Sequence, residues 1–181
     1  IHDHVNEVLI VGNLYAHNYE RSPLFKGGAR GQVINNLIYN PGQRAIHYNL
    51  IAEEWQGHPY SKGDMVVRGN VMRAGKSTEP LAFLMIGGSG DLDLYAQDNL
   101  IVDRTGHTSI QEMGSYSTAP VKLNRVKAAP ALPFGVTLLP SGKVQDAVIE
   151  TVGATPWNLD LIDRRIVAVG IEGRCESIDS Q

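Results

Sequence analysis

The segment Gly31-Gln-Val-Ile-Asn-Asn-Leu-Ile-Tyr39 decides the fold class, because it carries a pattern that recurs along the chain. It consists of a short β-branched strand, a small or polar residue, an asparagine and a second short apolar strand. Related segments occupy residues 8–16, 65–73 and 94–102. These strands are almost wholly apolar and alternate poorly, which is typical of strands buried in a parallel stack. The recurrence therefore predicts a solenoid.

The repeated asparagines stand at positions 13, 36, 70 and 99, so the intervals are 23, 34 and 29 residues. A bare coil of three short strands needs roughly 20 residues, and the first interval fits one. The longer intervals predict inserted loops at residues 47–64 and 75–93, the second with residues 87–90 at its tip. Asparagine suits a sharp bend because it tolerates left-handed geometry, and stacked amides bond one another. Four ordinary hairpin turns are the alternative.

Together these features predict an all-β protein, a right-handed parallel β-helix with an asparagine ladder. We expect one domain over residues 1–181, with coils in residues 1–106 and an extension in residues 107–181 packed along the stack. Pro120, Pro130, Pro133 and Pro140 break any long element in that extension. One short helix is predicted near the end, with Thr155 as its cap, Pro156 in the first turn, and Leu159, Ile162 and Ile166 covering part of the core.

Composition excludes several classes of protein. The formal net charge is −3 and no long Lys/Arg run occurs, so nucleic acid and anionic membranes are not expected partners. No segment approaches the roughly 18 uninterrupted apolar residues of a membrane span. The single cysteine, Cys175, excludes an internal disulfide and a cysteine-based zinc site, and nothing around it indicates an activated thiol.

Basic residues concentrate in residues 17–30, between two strands of the predicted stack. Arg21 and Lys26 are an odd number of residues apart and would face opposite ways in an extended chain, unless a bend intervenes. Pro23 and the Gly27-Gly28 pair provide such a bend. The residues alone leave two interpretations open, a solvated basic turn and a site for an acidic ligand.

Three runs in this region resemble the pectate lyase family of polysaccharide lyases: Asn13-Leu-Tyr-Ala-His-Asn18, Arg21-Ser-Pro-Leu-Phe-Lys-Gly-Gly28 and Val33-Ile-Asn-Asn-Leu-Ile-Tyr-Asn40. Residues 98–103, 152–157 and 163–167 resemble the family more weakly. The resemblance implies a secreted or periplasmic enzyme, expected to be a monomer, that cleaves pectate or a related uronate polymer by β-elimination. Because the chain begins without a signal peptide or an initiator methionine, we expect it to be the C-terminal part of a longer domain.

The resemblance also implies site residues. Arg21 takes the place of the family's catalytic arginine, acting as the base, and Lys26 that of a second basic residue, usually arginine, that holds substrate. Lysine keeps the charge and loses the bidentate fork. Arg30 and Arg44 flank the motif and are further candidates for substrate binding. Trp55 lies in the first inserted loop, where it either stacks on a sugar ring or packs against the protein.

The chemistry explains why such a site needs cations. A proton leaves the carbon beside the uronate carboxylate, and positive groups stabilise the enolate-like charge that develops. Arginine is an awkward base because its guanidinium ordinarily stays protonated, so charge stabilisation is the role that its chemistry supports independently.

Calcium is the cofactor that the resemblance implies, with acidic ligands upstream of the catalytic arginine. Only Asp3, Glu7 and Glu20 precede Arg21, and none forms a metal pattern. We therefore assign no metal ligand here and expect the ligands in the missing N-terminal part of the domain. Two alternatives stay open: a β-helix glycoside hydrolase with Asp91 and Asp93 as its carboxylate pair, and a non-catalytic β-helix that binds glycans.

Overall fold

The computed structural model describes residues 1–116, 122–128 and 130–172, without the side chains of residues 169–172. Cys175 lies outside the described residues, so the prediction about its thiol stays a prediction.

The described strands follow one another in coils of three. The first coil contains β1 (Val8–Val11), β2 (Leu14–Ala16) and β3 (Leu24–Lys26). The second contains β4 (Arg30–Ile34), β5 (Leu37–Tyr39) and β6 (Ile46–Leu50). The third contains β7 (Gly63–Arg68), β8 (Val71–Arg73) and β9 (Leu84–Gly88). The fourth contains β10 (Leu92–Gln97), β11 (Leu100–Val102) and β12 (Met113–Ser115), and β13 (Leu123–Arg125) follows.

Each strand pairs in parallel with its equivalent in the next coil, which gives three sheets. The first sheet has the order β1-β4-β7-β10-β13, the second β11-β8-β5-β2 and the third β12-β9-β6-β3. This is the predicted parallel β-helix, and the parallel pairing excludes the alternative of hairpin turns. Strands β12 and β13 extend the stack beyond residue 106.

The asparagines form a ladder at the bend between the first and second sheets. The side-chain oxygen of Asn36 accepts from the Asn13 backbone N–H at 3.0 Å, and Asn70 and Asn99 accept in the same way from the preceding coil at 3.0 and 3.1 Å. The left-handed backbone geometry belongs to the residue before each ladder asparagine, namely Gly12, Asn35, Gly69 and Asp98. The asparagine itself supplies the hydrogen bonds between coils.

Alternate residues of the strands fill the interior. Phe25, Tyr48 and Met65 are fully buried, and each lies on a different coil. Burying a side chain of this size contributes about 1.5–3 kcal/mol. The outer face of each sheet therefore carries the residues in between, and this alternation decides which side chains can reach a ligand.

Both longer intervals contain inserted loops, but the loops are shorter than predicted. His47 and Gly87 belong to strands of the third sheet, so the insertions run over residues 51–62 and 74–83. A 3₁₀ helix, Ala52–Trp55, lies in the first insertion. The Gly87-Gly88 pair is strand rather than loop tip because it pairs in parallel with Asn49 and Leu50 of β6.

The prediction of helices was partly wrong. Helix α1 (Ser141–Thr151) was missed, and it is the helix that covers the stack, with Val144 and Val148 packed against the second sheet. Helix α2 (Leu161–Glu172) matches the predicted helical spacing but starts later, because the Asp160 carboxylate accepts from two backbone N–H groups of its first turn. Thr155 makes no side-chain cap hydrogen bond, and Pro156 begins a short 3₁₀ helix, Pro156–Asn158.

The α2 side chains that were predicted to cover the core are exposed instead. Ile162 is 61% exposed and Ile166 is 43% exposed. Before α1, an extended segment packs along the coils, where Leu139 exchanges hydrogen bonds of 2.9 and 3.0 Å with the Asn35 side chain. Among the described helices, none is long and apolar enough to cross a membrane.

Candidate functional site

The outer face of the third sheet carries the candidate site. On β3, Phe25 points inward and is fully buried, so Leu24 and Lys26 face outward. The register pairs Leu24 with His47 and Lys26 with Asn49 on β6. The outward row thus places Lys26 beside Asn49, one outward position along the strand from the His47 imidazole.

Arg21 lies in the turn that leads into β3. Its backbone has a φ of +69°, a left-handed geometry that costs a residue with a side chain about 1–2 kcal/mol, and a cis Ser22-Pro23 bond follows it. The Ser22 N–H donates to the Ala45 carbonyl at 2.9 Å, which holds this turn against the second coil. The Arg21 side chain is 63% exposed, so its guanidinium is available to a ligand.

Two arginines share one carboxylate at this turn. The Arg21 Nε lies 2.9 Å from the Glu20 carboxylate, and the other oxygen of Glu20 pairs with Arg44. Glu20 therefore joins the first coil to the segment before β6 and keeps both guanidinium groups at the same end of the third sheet.

Lys26 has a carboxylate of its own. Its ammonium pairs with Glu54, which lies on the 3₁₀ helix of the first insertion. The Lys26 side chain is only 14% exposed, whereas the Glu54 side chain is 42% exposed. The inserted loop thus folds back and covers the cation that the regular strand presents.

Sequence reasoning missed two members of this site, His47 and Tyr116. The Tyr116 hydroxyl lies 2.8 Å from the His47 Nε2, and the Arg44 guanidinium lies over the Tyr116 ring, 5.0 Å from its centroid. No local signal marked Tyr116, since it stands 69 residues from His47 in the chain. Only the stacking of coils brings the two together.

Burial, together with the nearby cations, lowers the pKa of His47 to about 4. Arg44 has the largest effect among these cations, followed by Arg21 and Lys26, whereas Glu20 acts in the opposite direction. His47 is therefore neutral at pH 7. Arg44 shares Glu20 with Arg21 and lies over the Tyr116 ring, and Lys26 lies on β3 of the same sheet as His47; we call Arg21, Lys26 and Arg44 the cationic cluster.

Arg30 and Trp55 do not join the cationic cluster. Arg30 is exposed at the start of β4, pairs in register with Asp64 on β7, and lines a cavity of about 480 Å³ on the first sheet. Trp55 is 3% exposed; its indole N–H donates to Asp3 at 2.9 Å, and the ring packs on His4. In this conformation Trp55 has the packing role, and it presents no face to a sugar ring.

Calcium does not fit the described part of the cationic cluster. The carboxylates nearest to it, Glu20 and Glu54, already pair with cations. Within residues 1–116, 122–128 and 130–172, no group of three His, Cys, Asp or Glu side chains is arranged to hold a metal ion. That calcium ligands lie upstream of this chain stays a prediction.

Comparisons with protein-family models, with curated proteins and with solved structures found no match to this chain. The features that indicate a function are therefore the geometry of the cationic cluster and the sequence motif of residues 13–40.

Proposed function

We propose that this chain carries the basic side of the substrate site of a secreted or periplasmic polysaccharide lyase, which cleaves pectate or a related uronate polymer by β-elimination. The observation that carries the proposal is the cationic cluster: Arg21 and Arg44 share the Glu20 carboxylate beside β3, Lys26 lies on β3 itself, and each cation is paired with a carboxylate. A polymer of uronates presents a carboxylate on every sugar, which is the group that this cluster already binds.

Substrate binding then becomes an exchange of carboxylates. Glu20 holds Arg21 and Arg44, and Glu54 holds Lys26, so the cations stay oriented without substrate. A uronate carboxylate takes the place of the Glu54 side chain, which can swing away because it is partly exposed. Charge-assisted pairs of this kind fix both the position and the direction of the polymer.

The reaction needs a base and a group that stabilises negative charge. Arg21 takes the first role by the resemblance of its motif, and its guanidinium supports the second role directly, because it bears a fixed positive charge in the exposed turn. The left-handed backbone at Arg21 is consistent with a functional constraint, since glycine would adopt it without strain. Lys26 holds the carboxylate beside the carbon that loses its proton.

In the direct test, the full-length protein is incubated with polygalacturonate and calcium, and the ultraviolet absorbance of the unsaturated product is measured. We expect absorbance to rise, and Arg21→Ala to lower kcat by about 100- to 1000-fold. Arg104→Ala is the matched control, because Arg104 is exposed and bonds the Thr78 carbonyl outside the cluster. If the wild-type protein gives no unsaturated product from any uronate polymer, the proposal fails.

A second test addresses the exchange of carboxylates. Glu54→Gln releases Lys26, so we expect KM to fall by roughly threefold with little change in kcat. Glu53→Gln is the control, since Glu53 lies on the same 3₁₀ helix and is exposed. A higher KM in Glu54→Gln would mean that Glu54 orients Lys26 for the substrate rather than competing with it.

One observation limits the roles open to Asp93 in the glycoside hydrolase alternative. Such an enzyme pairs a carboxylic acid whose pKa is raised with a carboxylate that stays ionised. Hydrogen bonds from Lys62 and Asn124 lower the pKa of Asp93, so Asp93 fits only the ionised role. Cleavage products without a double bond would favour this alternative. Tight oligosaccharide binding without turnover would favour the non-catalytic one.

A further inference from the structure

Tyr116 crosses the third sheet to reach the cationic cluster. It follows β12 on the fourth coil, yet its hydroxyl bonds His47 on the second coil. The ring lies directly against the backbone of Gly87 on β9, where an added Cβ would come within 2.2 Å of the phenol carbon. Gly87 thus leaves the space through which the hydroxyl reaches the groups around Arg44.

His47 is a positioning residue for this hydroxyl. His47 is 4% exposed, and its Nδ1 is buried with no hydrogen-bond partner among the described residues. Its ring is therefore held by the hydrogen bond between its Nε2 and the Tyr116 hydroxyl. A buried polar atom left unpaired is unfavourable by about 1–3 kcal/mol. The fold tolerates this at a residue that fixes the direction of a phenol group.

The surroundings of Tyr116 hold its proton until a strongly basic oxygen forms beside it. Burial raises the pKa of the phenol and makes it a weaker acid, so it donates to an acceptor such as a developing sugar alkoxide, while Arg44 over the ring acts in the opposite direction. The same guanidinium stabilises a phenolate once it forms. An imidazole with its proton on Nε2 donates to that phenolate oxygen as well. With 45% of Tyr116 exposed, substrate can approach it.

We propose that Tyr116 is the proton donor of the elimination, held in place by His47 and Arg44; this inference rests on the proposed function. The base removes the proton from the carbon beside the uronate carboxylate, and the electron pair of that bond forms the carbon–carbon double bond. The bond between the neighbouring carbon and the glycosidic oxygen breaks, and the Tyr116 hydroxyl gives its proton to that oxygen. The base then releases its proton to solvent, and solvent reprotonates the phenolate.

The test depends on the leaving group. Polygalacturonate has a sugar alkoxide leaving group that needs a proton, whereas a synthetic uronide with a nitrophenoxy group at the carbon that undergoes elimination releases nitrophenolate without one. With the full-length protein and calcium, we expect Tyr116→Phe to lower kcat on polygalacturonate by about 100-fold or more and KM to change little. On the nitrophenoxy substrate we expect a loss of no more than roughly threefold, because donor catalysis is not needed there.

Tyr95→Phe is the matched control, since the Tyr95 hydroxyl bonds Gln97 and Arg68 lies near its ring, on a different sheet. An equal loss on both substrates in Tyr116→Phe would show a structural role and overturn the inference, and so would full activity on polygalacturonate. Wild-type protein that releases no unsaturated product from either substrate would overturn the proposed function together with this inference. The activity of the wild-type protein thus tests the proposed reaction. The ratio of kcat between Tyr116→Phe and wild type on the two substrates tests whether Tyr116 is the proton donor.

Discussion

Replacing Asn36 with alanine removes the most connected rung of the asparagine ladder. Asn36 is fully buried, and its side-chain amide nitrogen lies 3.0 Å from the Ile10 carbonyl and 3.0 Å from the Asn70 side-chain oxygen. Its own side-chain oxygen accepts from the backbone and side-chain N–H groups of Asn13 at 3.0 and 2.9 Å. The substitution therefore breaks contacts with the coils on both sides.

The expected magnitude follows from the groups that lose a partner. The Asn13 backbone N–H loses its acceptor and the Ile10 carbonyl loses a donor, and each such group, when buried, is unfavourable by about 1–3 kcal/mol. Because the Asn13 end is partly exposed, we expect a total loss of about 2–4 kcal/mol in the free energy of unfolding. Asn13→Ala should lose only about 0.5–1 kcal/mol, since Asn13 is exposed and its backbone N–H still satisfies Asn36.

Equilibrium unfolding in urea, followed by far-ultraviolet circular dichroism, measures this difference. The slope of the free energy of unfolding against urea concentration should stay similar among wild type and variants, so that the midpoint of the transition reports stability. Asn124→Ala is the control, because its exposed amide bonds only the Asp93 carboxylate among the described contacts. If Asn36→Ala and Asn13→Ala agree within about 0.5 kcal/mol, the ladder is not a buried network and this reasoning is refuted.

Three further predictions concern other parts of the stack. Gly69→Ala should destabilise the protein in urea unfolding by about 1 kcal/mol more than Gly12→Ala. Both glycines have a positive φ, but only at Gly69 would the new Cβ meet a neighbour, the Asn35 side-chain nitrogen at 2.4 Å. Equal losses of stability would contradict this crowding. Val148→Ala, beneath α1, should lower the free energy of unfolding by about 2 kcal/mol, and exposed Ile166→Ala by less than about 0.5 kcal/mol; the reverse order would mean that α2 covers the core. Because burial lowers the pKa of His47 from 6.5 to about 4, the unfolded chain binds the proton first. Stability should therefore fall as pH falls from 6.5 towards 4, by up to about 1.4 kcal/mol per pH unit, and His47→Gln should remove that part of the slope in urea titrations at several pH values.

The candidate site divides into residues that the sequence marked and residues that it did not. Arg21 and Lys26 stand in one short motif, so their type and spacing are visible in the chain. Glu20 and Glu54 look like ordinary surface acids until the structure pairs them with the cations. Tyr116 lies beyond the recognisable repeat, and its contact with His47 depends on how many residues the inserted loops take up between coils.

The coil was predictable from the chain alone, because each repeat carries its own apolar strands, its bend residue and its asparagine within about ten residues. Such local information survives in a single chain without any knowledge of distant contacts. Which helix covers the stack depends on tertiary packing, since α1 and α2 have similar apolar spacing and differ in the residues that they contact. Arg30 stays apart from the cationic cluster because the face on which an outward side chain lies depends on the sheet that its strand joins. Trp55 stays apart because the inserted loop buries it, with its indole N–H bonded to Asp3.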